Sequence, residues 1–330
     1  MTTFALIGSE SLLGREIRDI VATAGTPLHM RLIGDAGDEP GTLTRVGDEP
    51  AIVAGLDADS ISGARAIFLA GCPESSRKAL ALLDREPGPA VIDLTGAAEE
   101  RPDARLRAPL VAEDEAGAAV HVIAHPAAIA LALFLRRLHA QEPIRSSVIQ
   151  VLAPVSEHGA PGVEELQNQT VSLLSFKSLP KAVFDAQVGF NLLARYGEEA
   201  PVSLEHSELR IENHLASLLA LPGEGESAPM PSLRLIQAPV FHGYSFSAWV
   251  RFEDRPDVDA LENGLLSGSI EVRGGEFEPP TNVGQAGQSG IAVGAISPDR
   301  NHRDACWFWI VADNLRLAAD NAVAVARQLL

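Results

Sequence analysis

Short apolar segments alternate with helix-patterned segments along the first 128 residues, and this alternation constrains the fold more than any other feature. Phe4–Gly8 is an apolar run that ends in glycine, and the segment after Gly14 spaces Ile17, Ile20 and Val21 along one helix face. Further apolar runs lie at 29–33, 66–70, 90–94 and 120–124, with a helical stretch at 75–83. Strands that alternate with helices predict an α/β domain built on a doubly wound parallel sheet.

The pattern changes after about residue 128, where the elements become longer and mixed. Helical patterns lie at 162–176, 203–219 and 314–330, and strand-like runs lie at 147–152, 233–241, 246–252, 269–273 and 307–312. Two stretches rich in Pro and Gly, 221–232 and 274–290, predict exposed loops. We therefore expect a second, α+β domain with a mixed sheet.

Composition and charge limit the classes of partner. The chain has 330 residues, 46% of them hydrophobic, which is enough for two domains with a core each. Its net charge of −18 disfavours nucleic acid and anionic membranes, because binding to either relies on Lys and Arg patches.

No segment of the sequence has the pattern of a secretory signal peptide or of a transmembrane helix. The N-terminus lacks a basic flank and a cleavage pattern, and the apolar run 120–135 is broken by two histidines and a proline. We expect a cytoplasmic protein with no membrane partner. Cys72 and Cys306 have no CxxC or Cys/His spacing, so neither a disulfide framework nor a metal site is predicted.

The segment between the first strand and the first helix is a candidate nucleotide site. It comprises Gly8, Ser9, Glu10, Ser11, Leu12, Leu13 and Gly14. A dinucleotide pyrophosphate binds backbone N–H groups at such a helix end. Ser11 stands where a third glycine is usual, and its hydroxyl either donates to phosphate or caps the helix.

An acidic residue follows the second strand, about twenty residues after Gly14. Asp35 stands where a carboxylate accepts hydrogen bonds from the ribose 2′-hydroxyl. The alternative is that Asp35 begins an acidic loop with Asp38 and Glu39. If a cofactor binds, the carboxylate favours NAD over NADP.

The junction between the strand at 120–124 and the next helix is suited to an activated thiol. Helix N-termini lower thiol pKa values and bind anions through free N–H groups and the helix dipole. His125, Pro126 and Ala127 open this helix, and Ala128 in its first turn supplies only a methyl group. Whether the chain is an enzyme depends on this position.

Segment 122–130 resembles the IIANPNCST segment of the aspartate-semialdehyde dehydrogenase family, whose cysteine falls on Ala128. Five further segments are similar to that family. They are 67–72 (LFSAGG), 91–98 (VIDNSSAF), 162–170 (GIEEL), 190–193 (FNxxP, without its proline) and 313–319 (DNLRKGAA). Six similarities in chain order extend the resemblance over most of the sequence.

The resemblance implies a domain organisation, a cofactor and a partner. Residues 1–127 with 313–330 would form a Rossmann-type NAD(P)-binding domain, and residues 128–312 a catalytic-like domain that also forms a homodimer. Ala70 and Gly71 join the cofactor-binding residues. The family often has Arg-Ser near Asp35 for a 2′-phosphate, which again favours NAD here. The family role lies in the biosynthesis of aspartate-derived amino acids.

The family's catalytic positions are changed together in this sequence. By the resemblance, Ala128 replaces the cysteine, Ala153 the active-site glutamine and Tyr244 the general base. Gln237 replaces the arginine for the substrate carboxylate, and Glu99 the arginine for phosphate. A methyl group forms no covalent intermediate, tyrosine is a poor base at neutral pH, and glutamate repels phosphate. No family catalytic residue is intact.

Three functional hypotheses follow. The first is a family member that keeps the fold, the dimer and nucleotide binding but does not catalyse the family reaction. The second is an oxidoreductase on a different aldehyde or other small substrate, and the third is a regulatory partner that forms a heterodimer with an active paralogue. We favour the first, because nucleophile, base and anion-binding side chains are lost together.

Several other polar residues have plainer interpretations than catalysis. His121 and His125 lie on a strand and a turn, so shared metal ligation is disfavoured. His242 is read as an ordinary exposed histidine, and Ser156 and His158 as neighbours that do not face each other. The charged residues at 205–214 are expected to form the solvated face of a helix.

Overall fold

The computed structural model describes residues 2–23, 29–47, 49–83, 88–112, 117–222 and 226–330. It divides into two compact units. Unit 1 comprises Met1–Ala124 with Ala318–Leu330, and unit 2 comprises His125–Leu317. These boundaries lie a few residues from the expected ones, 1–127 with 313–330 and 128–312. No helix in the described part of the chain is long and apolar enough to cross a membrane.

Unit 1 contains a six-stranded sheet, a hairpin and short helices. In chain order its elements are β1 (Thr3–Ile7), α1 (Leu12–Thr23), β2 (His29–Ile33), β3 (Leu43–Val46), β4 (Glu49–Ile52), α2 (Ala58–Ile61), β5 (Ala66–Leu69), α3 (Pro73–Leu82), β6 (Ala90–Asp93), β7 (Ala104–Arg107) and β8 (Val120–Ile123).

Unit 2 begins with a helix and contains the second sheet. Its elements are α4 (Pro126–Gln141), β9 (Ile144–Ala153), a 3₁₀ helix (Val155–His158), α5 (Gly159–Leu174), α6 (Leu204–Leu219), β10 (Ser232–Gln237), β11 (Tyr244–Phe252), α7 (Val258–Leu265), β12 (Ile270–Arg273), α8 (Asn282–Gln285), β13 (Ile291–Pro298) and β14 (Ala305–Ala312). The last helix, α9 (Asn314–Gln328), begins in unit 2 and continues into unit 1.

The sheet of unit 1 confirms the predicted parallel fold. Its strand order is β2-β1-β5-β6-β8-β7, and every neighbouring pair is parallel. The side chains of Phe4–Ile7 and of β5 are fully buried, as continuous apolar strands of a covered parallel sheet require. On α1, the predicted residues Ile17, Ile20 and Val21 face the core.

The C-terminal part of the chain forms hydrogen bonds to residues next to the strands of unit 1. The guanidinium of Arg107, a buried residue, donates to Gln328 Oε1 at 2.5 Å, and Leu110 N donates to Asn321 Oδ1 at 3.1 Å. Arg65 Nε donates to the carbonyl of Leu329 at 3.0 Å. These bonds hold the C-terminal residues within the first unit, as the resemblance implies.

The sheet of unit 2 is mixed, as expected. Its order is β10-β9-β11-β14-β13-β12, in which the two outer pairs are parallel and the three inner pairs are antiparallel. Residues such as Ile149, Phe246 and Ile310 point to a buried face. Three helices, α4, α6 and α7, contact the sheet strands, and α4 also packs against the other two; residues 127–135 of α4 are all buried.

The structure departs from the sequence predictions at several elements. β10 ends at Gln237 instead of 241, because its partner β9 ends at Ala153 and Pro239 has no N–H for a further ladder bond. β7, β13, the β3–β4 hairpin and α7 were not predicted, since their short or small-residue sequences lack a clear period. The expected loop at 274–290 contains α8.

Candidate functional site

The turn between β1 and α1 lies directly against the loop after β5, within unit 1. Gly8 has φ +76°, and a Cβ there would lie 2.2 Å from Gly71 Cα. A Cβ on Gly14 would lie 2.1 Å from the carbonyl oxygen of Gly8. Both glycines are therefore required by close backbone approach.

Ser11 joins the two loops and caps the helix. Its hydroxyl donates to the carbonyl of Ala70 at 2.7 Å and accepts from Gly14 N at 2.9 Å. Of the two interpretations offered for this residue, the structure supports the cap, because the hydroxyl proton is directed at Ala70. Leu12 and Leu13 begin α1 and are half-buried.

Three polar groups at this turn have no hydrogen-bond partner within the described part of the chain. Ser9 Oγ is buried and finds no hydrogen-bond partner among the described residues. The N–H groups of Leu12 and Leu13, at the start of α1, likewise have none from that part of the chain. Free N–H groups at a helix N-terminus are the groups that bind phosphate.

The carboxylate of Asp35 lies against the same loop after β5. Its carboxylate accepts from Cys72 N at 2.8 Å and from Ala36 N at 2.9 Å, and a Cβ on Gly71 would lie 2.7 Å from it. Asp38 accepts from Asp35 N at 2.7 Å, so a second carboxylate lies close by. The structure thus brings together the turn after β1, Asp35 and the Ala70–Gly71 loop, the residues expected to bind a nucleotide.

In unit 2, Ala128 lies in the first turn of α4 and is fully buried. The helix is capped by His125, whose Nδ1 accepts from Ala127 N at 3.2 Å. His125 N in turn donates to Nδ1 of His214 on α6 at 2.9 Å. His214 is buried, so the expectation that all the polar residues at 205–214 are solvated is wrong for this one.

A carboxylate joins this helix start to β11. His125 Nε2 lies 2.7 Å from Glu157 Oε1, and the Tyr244 hydroxyl donates to Glu157 Oε2 at 2.8 Å. Because His125 Nδ1 is an acceptor, the ring proton lies on Nε2 and is directed to Glu157. We call His125, Glu157 and Tyr244 the carboxylate cluster.

In the carboxylate cluster the pKa of Glu157 is lowered and the pKa of Tyr244 is raised. Burial raises the pKa of Glu157, but the attraction and hydrogen bond of His125 and the hydrogen bond of Tyr244 outweigh it and lower the value from 4.5 to about 2. Burial, then the Glu157 charge and hydrogen bond, hold the pKa of Tyr244 well above its usual 10.0. Glu157 is ionised and Tyr244 protonated at neutral pH.

A second set of bonds closes around Gln237. Tyr196 donates its hydroxyl to Gln237 Oε1 at 2.7 Å and lies 2.8 Å from His158 Nε2. The Gln237 amide nitrogen donates to the carbonyls of Ala153 and Ala238. We call His158, Tyr196 and Gln237 the amide cluster.

Burial favours the neutral forms of the two titratable groups in the amide cluster, His158 and Tyr196. Burial lowers the pKa of His158, and the neighbouring Glu157 charge opposes this shift only in part. Burial, then the Glu157 charge, raise the pKa of Tyr196. A neutral His158 donates from Nε2 to the Tyr196 oxygen, so every bond in the cluster has one donor and one acceptor.

The predicted catalytic positions are divided between the two units. Ala153, Gln237 and Tyr244 lie in unit 2 with Ala128, and Ala153 and Gln237 bond directly. Glu99 lies in unit 1, in the turn after β6. Ser156 bonds to Asn314 and His158 to Tyr196, so these two do not form a pair, as expected.

Sequence reasoning missed the residues at the centre of this site. These residues are Glu157, Tyr196 and His214. No local pattern identifies them, because their partners lie 32 to 89 positions away along the chain.

Comparison with known proteins places the chain in a class and then in a family. Residues 135–317 match the family model described as semialdehyde dehydrogenase, dimerisation domain. The USG-1 protein homolog of Pseudomonas aeruginosa is 31% identical, covering 99% of this chain and 97% of that protein. The fold and these matches define a semialdehyde dehydrogenase scaffold.

Solved structures share the fold. A probable aspartate-semialdehyde dehydrogenase from Pseudomonas aeruginosa has a TM-score of 0.81 and 29% identity, covering 99% of this chain and 98% of that one. The Candida albicans aspartate-semialdehyde dehydrogenase solved with NADP has a TM-score of 0.69 and 14% identity, covering 100% and 98%. The chain belongs to the aspartate-semialdehyde dehydrogenase family.

The depressed pKa of Glu157 makes a prediction about stability. A carboxylate whose pKa falls from 4.5 to about 2 on folding stabilises the protein above the unfolded value, and the gain disappears as pH falls toward the folded value. We expect Glu157→Gln to lower the free energy of unfolding by about 3 kcal/mol at neutral pH, from the size of the shift. The difference from wild type should shrink below about pH 4.5.

Urea titrations at a series of pH values measure this difference. Glu164→Gln on α5, an exposed carboxylate, is the matched control and should show a small difference at every pH. A Glu157→Gln effect that is constant from neutral to acid pH would show that the carboxylate is not ionised in the folded protein.

Proposed function

We propose that this chain is a dimeric family member that binds a nicotinamide nucleotide but does not catalyse the family's aldehyde oxidation. The observation that supports it most is the pair of closed clusters in unit 2. The side chains at the family's base and substrate positions are engaged in bonds within the fold: Tyr244 donates to Glu157, and Gln237 bonds to Tyr196 and to the Ala153 carbonyl. The reaction therefore lacks its nucleophile, its base and its anion-binding side chains.

The missing nucleophile is the cysteine thiol of the family. The position that the resemblance assigns to the cysteine is the buried methyl group of Ala128. The two cysteines of the chain are elsewhere: Cys306 is buried on β14, and Cys72 is the N-cap residue of α3 in unit 1. Covalent catalysis requires a thiolate beside the substrate carbonyl, which Ala128 does not provide.

The general base and the side chain that binds the substrate carboxylate are also missing. Tyr244 is held protonated and donates to Glu157, so it does not accept a proton at neutral pH. Gln237 uses both ends of its amide on Tyr196, Ala153 and Ala238. An amide carries no charge to bind a carboxylate bidentately, as an arginine does.

The nucleotide site in unit 1 is supported independently. Ser9 Oγ and the N–H groups that open α1 lie at one turn with Asp35. A pyrophosphate fits the N–H groups, and a ribose 2′-hydroxyl fits the carboxylate. Asp35 and Asp38 repel a 2′-phosphate, so we propose NAD as the cofactor that binds.

Restoring the thiol alone tests the loss of catalysis. We expect Ala128→Cys to show no phosphate-dependent oxidation of aspartate semialdehyde above the wild-type background, because Tyr244, Gln237 and Glu99 are unchanged. The assay follows formation of NADH and NADPH, with Ala132→Cys on the same helix as the control. Removal of a nucleophile is worth on the order of 10⁶ in rate, so recovery of even about a thousandfold would contradict the proposal.

Titration of the two nucleotides tests the cofactor. We expect NAD to bind at least about tenfold more tightly than NADP. Asp38→Asn keeps an acceptor for Asp35 N but removes a charge, so it should narrow this ratio, whereas the exposed Asp59→Asn should not. The measurement is calorimetry at matched salt. Tighter binding of NADP, or binding of neither nucleotide at millimolar concentration, would overturn this part of the proposal.

The open face of the sheet in unit 2 is the proposed dimer surface. Cross-strand partners share a face, and Trp249 on β11 pairs with Val148 on β9 and with Trp307 on β14. Trp309 lies two residues further along β14, so all three tryptophans of the chain share the face. Val148 and Trp307 are 47% and 41% exposed, which is typical of an apolar surface that a partner covers.

A charge placed on this surface tests the dimer. We expect Val148→Glu to convert a dimer into a monomer, since an interface would bury the new carboxylate without a partner. Light scattering after size exclusion measures the mass. Leu43→Glu, at an exposed apolar position of the β3–β4 hairpin, is the control and should leave the dimer intact. A dimeric Val148→Glu variant would place the interface elsewhere.

A further inference from the structure

The loop after β2 is bonded to the start of α3 by two hydrogen bonds. Cys72 N donates to Asp35 Oδ2 at 2.8 Å, and Ala36 N donates to Ser75 Oγ at 2.7 Å. The bonded residues lie 37 and 39 positions apart along the chain. Both bonds are within unit 1, and they fix residues 35 and 36 against α3.

The side chain of Ser75 is held in place by its own helix. Ser75 is 3% exposed and lies in the first turn of α3, whose N-cap residue is Cys72. Cys72 Sγ accepts from Ser75 N at 3.5 Å and donates to Ser75 Oγ at 3.6 Å. The Ser75 hydroxyl oxygen is therefore the fixed acceptor that α3 provides for the loop after β2.

These bonds also orient the Asp35 carboxylate. Its Oδ1 accepts from Ala36 N at 2.9 Å, so the Ala36 N–H is shared between this oxygen and Ser75 Oγ. Its Oδ2 accepts from Cys72 N, and a Cβ on Gly71 would lie 2.7 Å from the carboxylate carbon. An ionised carboxylate has about four lone-pair positions, so both oxygens can still accept from ribose hydroxyls.

A second carboxylate belongs to the same turn. Asp35 N donates to Asp38 Oδ2 at 2.7 Å, and Asp38 N donates to the carbonyl of Asp35 at 3.1 Å. A displacement of this turn relative to α3 therefore moves both negative charges together.

We infer that Ser75 is a positioning residue for nucleotide discrimination, because it holds the turn from Asp35 to Asp38 where the two carboxylates meet the ribose 2′ position. This role rests on the proposed function, in which unit 1 binds NAD in preference to NADP. Ser75 acts through Ala36 and Asp35, and not by contact with the nucleotide. Without its hydroxyl the turn loses an attachment to α3, and both the attraction for a ribose hydroxyl and the repulsion of a 2′-phosphate weaken.

Calorimetric titration of the full-length protein with NAD and with NADP tests this role in the wild type, Ser75→Ala and Ser76→Ala. Ser76 is the matched control, because it is buried on the same helix and its hydroxyl donates to the carbonyl of Cys72 at 3.1 Å. We expect Ser75→Ala to narrow the ratio of the NADP and NAD Kd values about fivefold, the size expected for one hydrogen bond. Ser76→Ala should leave the ratio within about twofold of the wild-type value.

A double-variant cycle separates positioning of the carboxylate from a general loss of stability. Since Ser75 acts through Asp35, adding Ser75→Ala to Asp35→Asn should change the Kd ratio by less than about twofold. An effect of Ser75→Ala that is equally large with and without Asp35→Asn would overturn the inference.

Hydrogen exchange of the ligand-free protein tests the attachment without a nucleotide. We expect the amide hydrogens of segment 34–38 to exchange about tenfold faster in Ser75→Ala than in the wild type, and at the wild-type rate in Ser76→Ala. Unchanged exchange in Ser75→Ala, or an unchanged Kd ratio, would overturn the role of Ser75 and leave the proposed NAD binding intact. A wild-type protein that binds neither nucleotide, or binds NADP more tightly, would overturn the proposed cofactor and this role with it.

Discussion

An ionised carboxylate held inside unit 2 between two aromatic donors is the interaction on which the arrangement of this site depends. Glu157 accepts from His125 at the start of α4 and from Tyr244 at the start of β11. A buried charge is tolerated only when its lone pairs are satisfied, so both donors are fixed in place by the carboxylate. The same charge raises the pKa of Tyr244 and Tyr196.

The bonds around Glu157 have a consequence for function. In an enzyme, polar groups in the active site are held ready for a substrate. Here the side chains at two family positions are bonded to other residues of the fold: Tyr244 donates to Glu157, and Gln237 bonds to Tyr196 and to two backbone carbonyls. The family scaffold, the mixed sheet and the return of α9 to unit 1 are retained. This combination is what favours binding and assembly over turnover in our proposal.

The sequence predicted the parallel sheet well, because its strands are continuous apolar runs and its turns contain glycine. The family resemblance implied that Gly71 belongs to the cofactor loop, and the structure places Gly8 and Asp35 beside it. The strand β13 was missed because Gly294, Ala295, Ser297 and Pro298 interrupt its β-branched residues and are depleted in strands.

The clusters of unit 2 could not be predicted from local pattern. Glu157 and His214 look like ordinary polar residues of helical segments, and only the packing of α4, α6 and β11 makes them acceptors for His125 and Tyr244. The resemblance placed Ala128, Gln237 and Tyr244 at changed family positions. It gave no information on which side chains those residues would bond to.

The central claim is that this family member forms no covalent intermediate. Intact-mass spectrometry of the purified protein, after incubation with aspartate semialdehyde and NAD or NADP without phosphate, tests it most directly, because a thioester formed in a single turnover would persist. We predict an unchanged mass for the wild-type protein. A stoichiometric, hydroxylamine-sensitive increase that matches the aspartyl group would contradict the account.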